Sequence, residues 1–371
     1  MGKMSVINRL LILCLLLTTI VSCADEQFYG YPPHQPTFKG LSFLAKDSND
    51  FTQAVQSNRL VEMKQQTFSN TVVLSFYIYQ ENELSTNIEV NTSGINPITN
   101  ETVLRTSSVT DLKTAIAAAK TLGMNVALNP ILKLYNGKSS RFIPFSEAWF
   151  ASYKQIIRDF AILSQESGVT IFCIGNELSS AVNEQTALHW KELINEVRLH
   201  YTKYVVYSAS WQGLEGYKNN EPEFFWCPIY SVTDYIAFQA FPLLTSNGQT
   251  HGTFWGSETN RMQSVRSFLE QQYHENGKKF LIMQTGLQSQ LGAELEPHIE
   301  RDVAKSKRFP HEGIQELYYT YIIESFGKHP LCDGIFFWYW DCTVQQESFI
   351  KGSYSPENKL AATVLKQWFS S

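Results

Sequence analysis

The sequence lacks the spacings on which most metal and cofactor chemistry depends. No C-x-x-C pair and no H-E-x-x-H occurs, so a metal site has no support and no cofactor is expected. No G-x-G-x-x-G follows the first expected strand, which argues against a doubly wound, dinucleotide-binding sheet. The 30 Lys and Arg against 35 Asp and Glu give a net charge of -5 and form no basic cluster, which excludes a nucleic-acid footprint. Cysteine is sparse, 6 in 371 residues. Cys14 and Cys23 belong to the amino-terminal stretch, and Cys173, Cys227, Cys332 and Cys342 remain. Cys173, inside an apolar run, reads as a small core residue; a bridge between Cys332 and Cys342, or to Cys227, is left open. Neither a short-period repeat nor a low-complexity tract is present.

What is there begins with an export signal. Lys3 and Arg9 precede the apolar run Leu10 to Ile20, which is short for a bilayer span, and Val21-Ser22-Cys23-Ala24 follows. Residues 1–23 therefore read as a signal peptide. It ends either as a lipobox that leaves a lipidated Cys23 or at a peptidase cut after Cys23 or Ala24. Both routes give an exported product, secreted or held at the cell surface, with membrane contact only through an anchor at Cys23. Residues 24–37, with Pro32, Pro33 and Pro36, form a lead-in, and residues 38–371 read as one domain. Asn91-Thr-Ser93 and Asn100-Glu-Thr102 fit the glycosylation pattern.

Strand and helix patterns alternate along that domain. Expected strands are Phe38–Leu44, Thr71–Tyr79, Asn125–Pro130, Thr170–Leu178, Tyr204–Trp211, Asp234–Pro242, Lys279–Gln284 and Asp333–Trp338. Helical patterns at Phe51–Lys64, Leu112–Leu122, Trp149–Ser167, Leu188–His200, Met262–Asn276, Ile314–Phe326 and Asn358–Phe369 separate most of them, with Thr110-Asp111 as the cap of the second. Eight such strands predict a single (β/α)8 TIM barrel, an α/β fold. The loop from Gln80 to Ser108 is long for a compact domain and reads as functional or mobile.

A barrel gathers the carboxyl ends of its strands at one mouth. Those ends carry Tyr79, Asn129, Asn176 with Glu177, Trp211, Gln284, then Trp338, Trp340 and Asp341. Glu177, closing the apolar run Thr170-Ile-Phe-Cys-Ile-Gly-Asn-Glu-Leu178, is the candidate catalytic acid. Aromatic faces beside amides and carboxylates suit a sugar, whose flat C–H faces lie on rings and whose hydroxyls need fixed donors and acceptors.

The same residues carry a resemblance. Ile174-Gly-Asn-Glu-Leu178, Trp149-Phe-Ala-Ser-Tyr153, Trp190-Lys-Glu-Leu-Ile-Asn-Glu-Val-Arg198, Phe225-Trp226, Gly334-Ile-Phe-Phe-Trp338 and Tyr354-Ser-Pro356 occur in an order that resembles glycoside hydrolase family 113, retaining β-mannanase-like barrels. The resemblance implies Glu177 as acid/base, Asn176 as the amide that meets a sugar hydroxyl, and a nucleophilic glutamate where this chain has Gln284. Two further departures are Ile131, where the family has His, and Phe241, where Tyr is often found.

From these readings the expected function is binding of a mannan-like polysaccharide or oligosaccharide, with hydrolysis lost or weak because Gln284 replaces the nucleophile. An active hydrolase that uses Glu177 with another carboxylate, such as Asp341, is the alternative. A further alternative is a non-catalytic surface interaction protein that uses only the scaffold.

Overall fold

The computed structural model describes residues 34–90, 95–96, 98–101, 105–244, 258–303, 305–345 and 350–370. The expected signal with Cys23, most of the lead-in, and the Asn91-Thr-Ser93 triplet lie outside them.

Eight parallel strands form one barrel sheet: β1 (Phe38–Ala45), β2 (Thr71–Gln80), β4 (Asn125–Leu134), β5 (Ile171–Asn176), β6 (Tyr204–Ser208), β7 (Ile236–Gln239), β8 (Phe280–Thr285) and β9 (Cys332–Asp341). A two-residue strand, β3 (Ile88–Glu89), pairs antiparallel with the end of β2 inside the long loop. The order around the sheet is β6-β5-β4-β2-β1-β9-β8-β7. Closure between β6 and β7 comes from Ala209, whose N–H bonds Ala237 O while its carbonyl accepts from Gln239 N–H. The strands are apolar almost throughout because a barrel strand is covered on both faces.

Helices α1 (Asp50–Gln56), α2 (Arg59–Thr67), α3 (Val109–Thr121), α4 (Glu147–Ser167), α5 (Ala187–His200), α6 (Glu223–Trp226), α7 (Glu258–Asn276), α8 (Glu312–Ile322) and α9 (Leu360–Ser370) lie outside the sheet or in its connections. Where one helix was expected from Phe51 to Lys64, Asn58 takes a left-handed conformation (φ +60°) and divides α1 from α2. Ser108, and not Thr110-Asp111, caps α3 by accepting from Asp111 N–H. The Asp111 carboxylate is still used: it turns back and accepts from Thr52 N–H at 2.7 Å. Ser146 caps α4 and Gly168, at φ +71°, ends it, as a left-handed glycine does.

Two apolar layers result. One fills the barrel lumen with residues such as Val73, Ala127, Cys173, Ala237, Met283 and Phe336. The other lies between sheet and helices. This division labels each strand's faces, because side chains alternate and in-register parallel neighbours project to the same side. Cys173, Cys227, Cys332 and Cys342 are all free thiols and all buried, so no bridge forms among them.

Candidate active site

Strict alternation would leave several of the expected site residues on the wrong face, and β-bulges decide where they go. On β5, Cys173 pairs with Val206 but Asn176 pairs with Ser208, so β5 holds one extra residue. Ser208 lies two positions beyond the lumen residue Val206, and Asn176 therefore turns into the lumen. There its Nδ2 donates to Asn129 Oδ1 at 2.6 Å, and Asn129 Nδ2 donates to Ser75 Oγ at 3.2 Å. On β8, Phe238 pairs with Ile282 but Gln239 with Gln284. Gln239 lies two positions beyond the lumen residue Ala237, so Gln284 faces the lumen beside it. Extra residues of this kind re-aim side chains at the rims of barrels.

A third irregularity acts in the opposite sense. On β9, Phe337 pairs with Leu41 but Trp340 pairs with Phe43, an outward residue. The extra residue sends Trp340 behind the sheet, where it is 0% exposed under the Arg59 guanidinium, 5.6 Å from the ring. Trp340 is thus core packing and not the cleft residue that the strand end suggests. Trp211 likewise packs inside, parallel to Phe224 at 5.2 Å and near Phe238. Trp338 stays half-buried on the lumen face, two residues beyond Phe336 and edge-on to Tyr339.

Glu177 follows β5 directly and remains partly exposed. Its backbone is left-handed, φ +48°, a conformation rare for a residue with a β-carbon. Its N–H bonds Ser208 O at 3.0 Å, and its Oε1 accepts from Ser210 Oγ at 2.7 Å. Behind it lies a second carboxyl, Glu223, fully buried at the start of α6. Glu223 accepts from Tyr207 Oη at 2.6 Å, from Ser179 Oγ at 2.7 Å and from Ser210 N–H at 2.9 Å. Burial is the main reason that its pKa rises to about 7; the three donors oppose the rise and the charge of Glu177 adds to it.

The β1, β2, β4 and β9 side of the mouth is aromatic and charged. Tyr79 stacks on Tyr135 at 5.1 Å, and the Tyr79 hydroxyl is buried without a hydrogen-bond partner. Lys133 sits 4.4 Å over the Tyr77 ring and Lys46 5.4 Å over Tyr339. Tyr339 Oη donates at 2.9 Å to Glu300, which reaches in from the connection after β8. Asp341 is 2% exposed; burial pushes its carboxyl up to about 6, against the pull of Lys46. Ile131, at the His-to-Ile departure, is half-buried on β4.

The lumen rim therefore brings together Asn129, Asn176, Gln239 and Gln284, with Glu177 just beyond β5. Sequence reasoning missed Glu223, Glu300, Lys46, Lys133 and Tyr339. Tyr339 has a signal in the sequence, since it lies between Trp338 and Trp340, but Glu223 opens a single helical turn and Glu300 sits in an irregular segment, places where carboxylates are ordinarily solvated.

The sequence model of Glycoside Hydrolase Family 113 matches residues 41–355. Among solved structures, a family 113 β-1,4-mannanase gives a TM-score of 0.72 at 22% identity over 91% of this chain and 99% of its own. The family 113 β-mannanase AaManA from Alicyclobacillus acidocaldarius, in complex with ManMIm, gives 0.72 at 20% identity over 90% and 97%. The endo-β-1,4-mannanase from Thermotoga petrophila gives 0.53 at 14% identity over 91% and 77%. At such identities the structural likeness speaks for the fold. No curated protein matches the chain in sequence.

Proposed function

The chain belongs to glycoside hydrolase family 113, and from that membership we propose that it is an exported protein that binds a mannan-like polysaccharide or oligosaccharide in the barrel mouth, with hydrolysis lost or very weak. The carrying observation is Gln284, level with Gln239 on the lumen face of β8. A retaining glycosidase needs a carboxylate about 5 Å from its acid to form the glycosyl ester. An amide is a poor nucleophile and cannot neutralise the positive charge that develops on the sugar. Loss of one member of a cooperating catalytic set costs on the order of 10⁴ to 10⁶ in rate.

Sugar binding has separate support. Asn176 Oδ1 is buried with no hydrogen-bond partner, an acceptor that a hydroxyl entering the mouth would satisfy. Trp338 offers a partly open ring on the same face. One observation favours the active-hydrolase reading: Asp341 Oδ2 is also buried without a partner, and a carboxylate so placed is costly unless it has work to do.

Isothermal titration with manno-oligosaccharides tests the proposal, run beside an assay for reducing ends. The expected result is saturable binding that Asn176→Ala weakens at least tenfold, with product formation near background. Turnover that Asp341→Asn abolishes would establish the active hydrolase instead. Absence of binding to any glycan on a broad array would favour the surface interaction protein.

A further inference from the structure

The buried carboxyl of Glu223 has no part in the sugar reading, yet its hydrogen bonds all lead to the segment that carries Glu177. Tyr207 Oη donates to Glu223 Oε1 at 2.6 Å and itself accepts the Leu178 N–H at 2.7 Å. While Glu223 is ionised the hydroxyl proton points at it, and the donor direction runs from Leu178 through Tyr207. Ser179 Oγ reaches Glu223 Oε2 at 2.7 Å. Ser210 serves both carboxyls: its N–H donates to Glu223 Oε2 at 2.9 Å and its hydroxyl to Glu177 Oε1 at 2.7 Å. Glu177 and the two residues after it are each tied, directly or through one intermediate, to a single buried group. Glu177 also holds the left-handed backbone, φ +48°, which persists only where the surroundings over-determine it.

We propose that Glu223 is the positioning residue of the mouth: its carboxyl holds the turn that aims Glu177 and, through the shared Ser210, passes its own change of charge to the surroundings of Glu177.

The titratable groups facing Glu223 are Tyr207 of β6, Cys227 and Tyr230 after α6, and Glu177 beyond β5. All are acids, so each proton lost around Glu223 adds like charge. Burial, helped by Glu177, places its own titration at about pH 7. Protonation there must put a hydrogen on an oxygen that is surrounded by donors. The Ser210 N–H cannot reverse, so Oε2 stays its acceptor and the proton goes to Oε1, where the Tyr207 hydroxyl must turn; the lost charge weakens the bond from Ser210, the residue that holds Glu177.

The inference rests on Glu177 as the working carboxyl of the proposed function, but it can be read without any sugar, so failure of one does not decide the other. The measurement is the ¹³C carboxyl shift of Glu177 against pH in glutamate-labelled protein, assigned by its disappearance in Glu177→Gln. Wild type is expected to show a step near pH 7 that reports the titration of Glu223. Glu223→Gln, which keeps the volume and removes the charge, should lose that step. In Ser210→Ala the step should shrink at Glu177 while the Glu223 signal still titrates. A Glu177 signal with no step near pH 7 in wild type, or an unchanged step there in folded Glu223→Gln, overturns the proposal. If Glu223→Gln does not fold, Ser210→Ala decides: an undiminished step there counts against the coupling.

Discussion

At the scale of single residues, the place of Glu177, directly after β5, could be read from sequence because a carboxylate that ends an apolar run has few places to be in a parallel barrel. Glu223 could not, since Glu-Pro-Glu-Phe-Phe-Trp looks like an exposed turn until the fold closes over it. Its burial has a thermodynamic consequence with a definite sign. The folded pKa is about 7 against a usual 4.5, so the fold prefers the neutral acid. That preference is fully present below pH 4.5 and is lost as pH rises to about 7. Glu223→Gln removes this slope. The unfolding free energy of the variant is therefore expected to gain on wild type by about 3 kcal/mol between pH 4.5 and 7.5. Urea denaturation at the two pH values checks this, and a constant gap would show that Glu223 ionises normally. Asp341, pushed up to about 6, acts in the same sense at its own position, which is why the difference between the two proteins is the informative quantity.

At the scale of elements, the strands and most helices follow their apolar patterns, but the faces near the strand ends do not follow a period of two. The bulges on β5, β8 and β9 are single-residue events among otherwise continuous apolar runs, and such runs carry no alternation from which an extra residue could be noticed. This is why Asn176 and Gln284 reach the lumen while Trp340 leaves it. Trp340→Ala is accordingly expected to cost about 3–5 kcal/mol of stability with oligosaccharide affinity unchanged at temperatures where the variant is folded. A specific loss of affinity without loss of stability would return Trp340 to the cleft. Gly175 lies within the β5 bulge; a β-carbon there would stand 2.9 Å from Tyr153 Oη and 3.2 Å from the Tyr207 ring. Gly175→Ala should cost about 1–3 kcal/mol by forcing these rings apart. Because Tyr207 holds both Leu178 and Glu223, the same change should disturb Glu177, visible as a shift of its carboxyl resonance.

At the scale of the whole molecule, the count of alternating elements was enough to give a (β/α)8 barrel, because each strand-helix unit is written in apolar period and helix caps. The order of the motifs was enough to give the family. Connections were less legible: the break at Asn58, the small β3 pairing inside the long loop, and the entry of Glu300 into the mouth depend on tertiary contacts that no local pattern announces. Export belongs to this scale as well. The intact mass of protein from a native host should begin at or just after Cys23, with added acyl mass if the cysteine is anchored. Retention of residues 1–23 would contradict the proposal.

The central claim is that a barrel inherited from glycosidases has kept its acid and lost its nucleophile. Its most direct measurement is the rate of manno-oligosaccharide cleavage by wild type and by Gln284→Glu, assayed side by side on folded protein. The account predicts near-background cleavage by wild type and a gain of about 10³-fold or more in the variant. Wild-type turnover that equals or exceeds that of Gln284→Glu would contradict it.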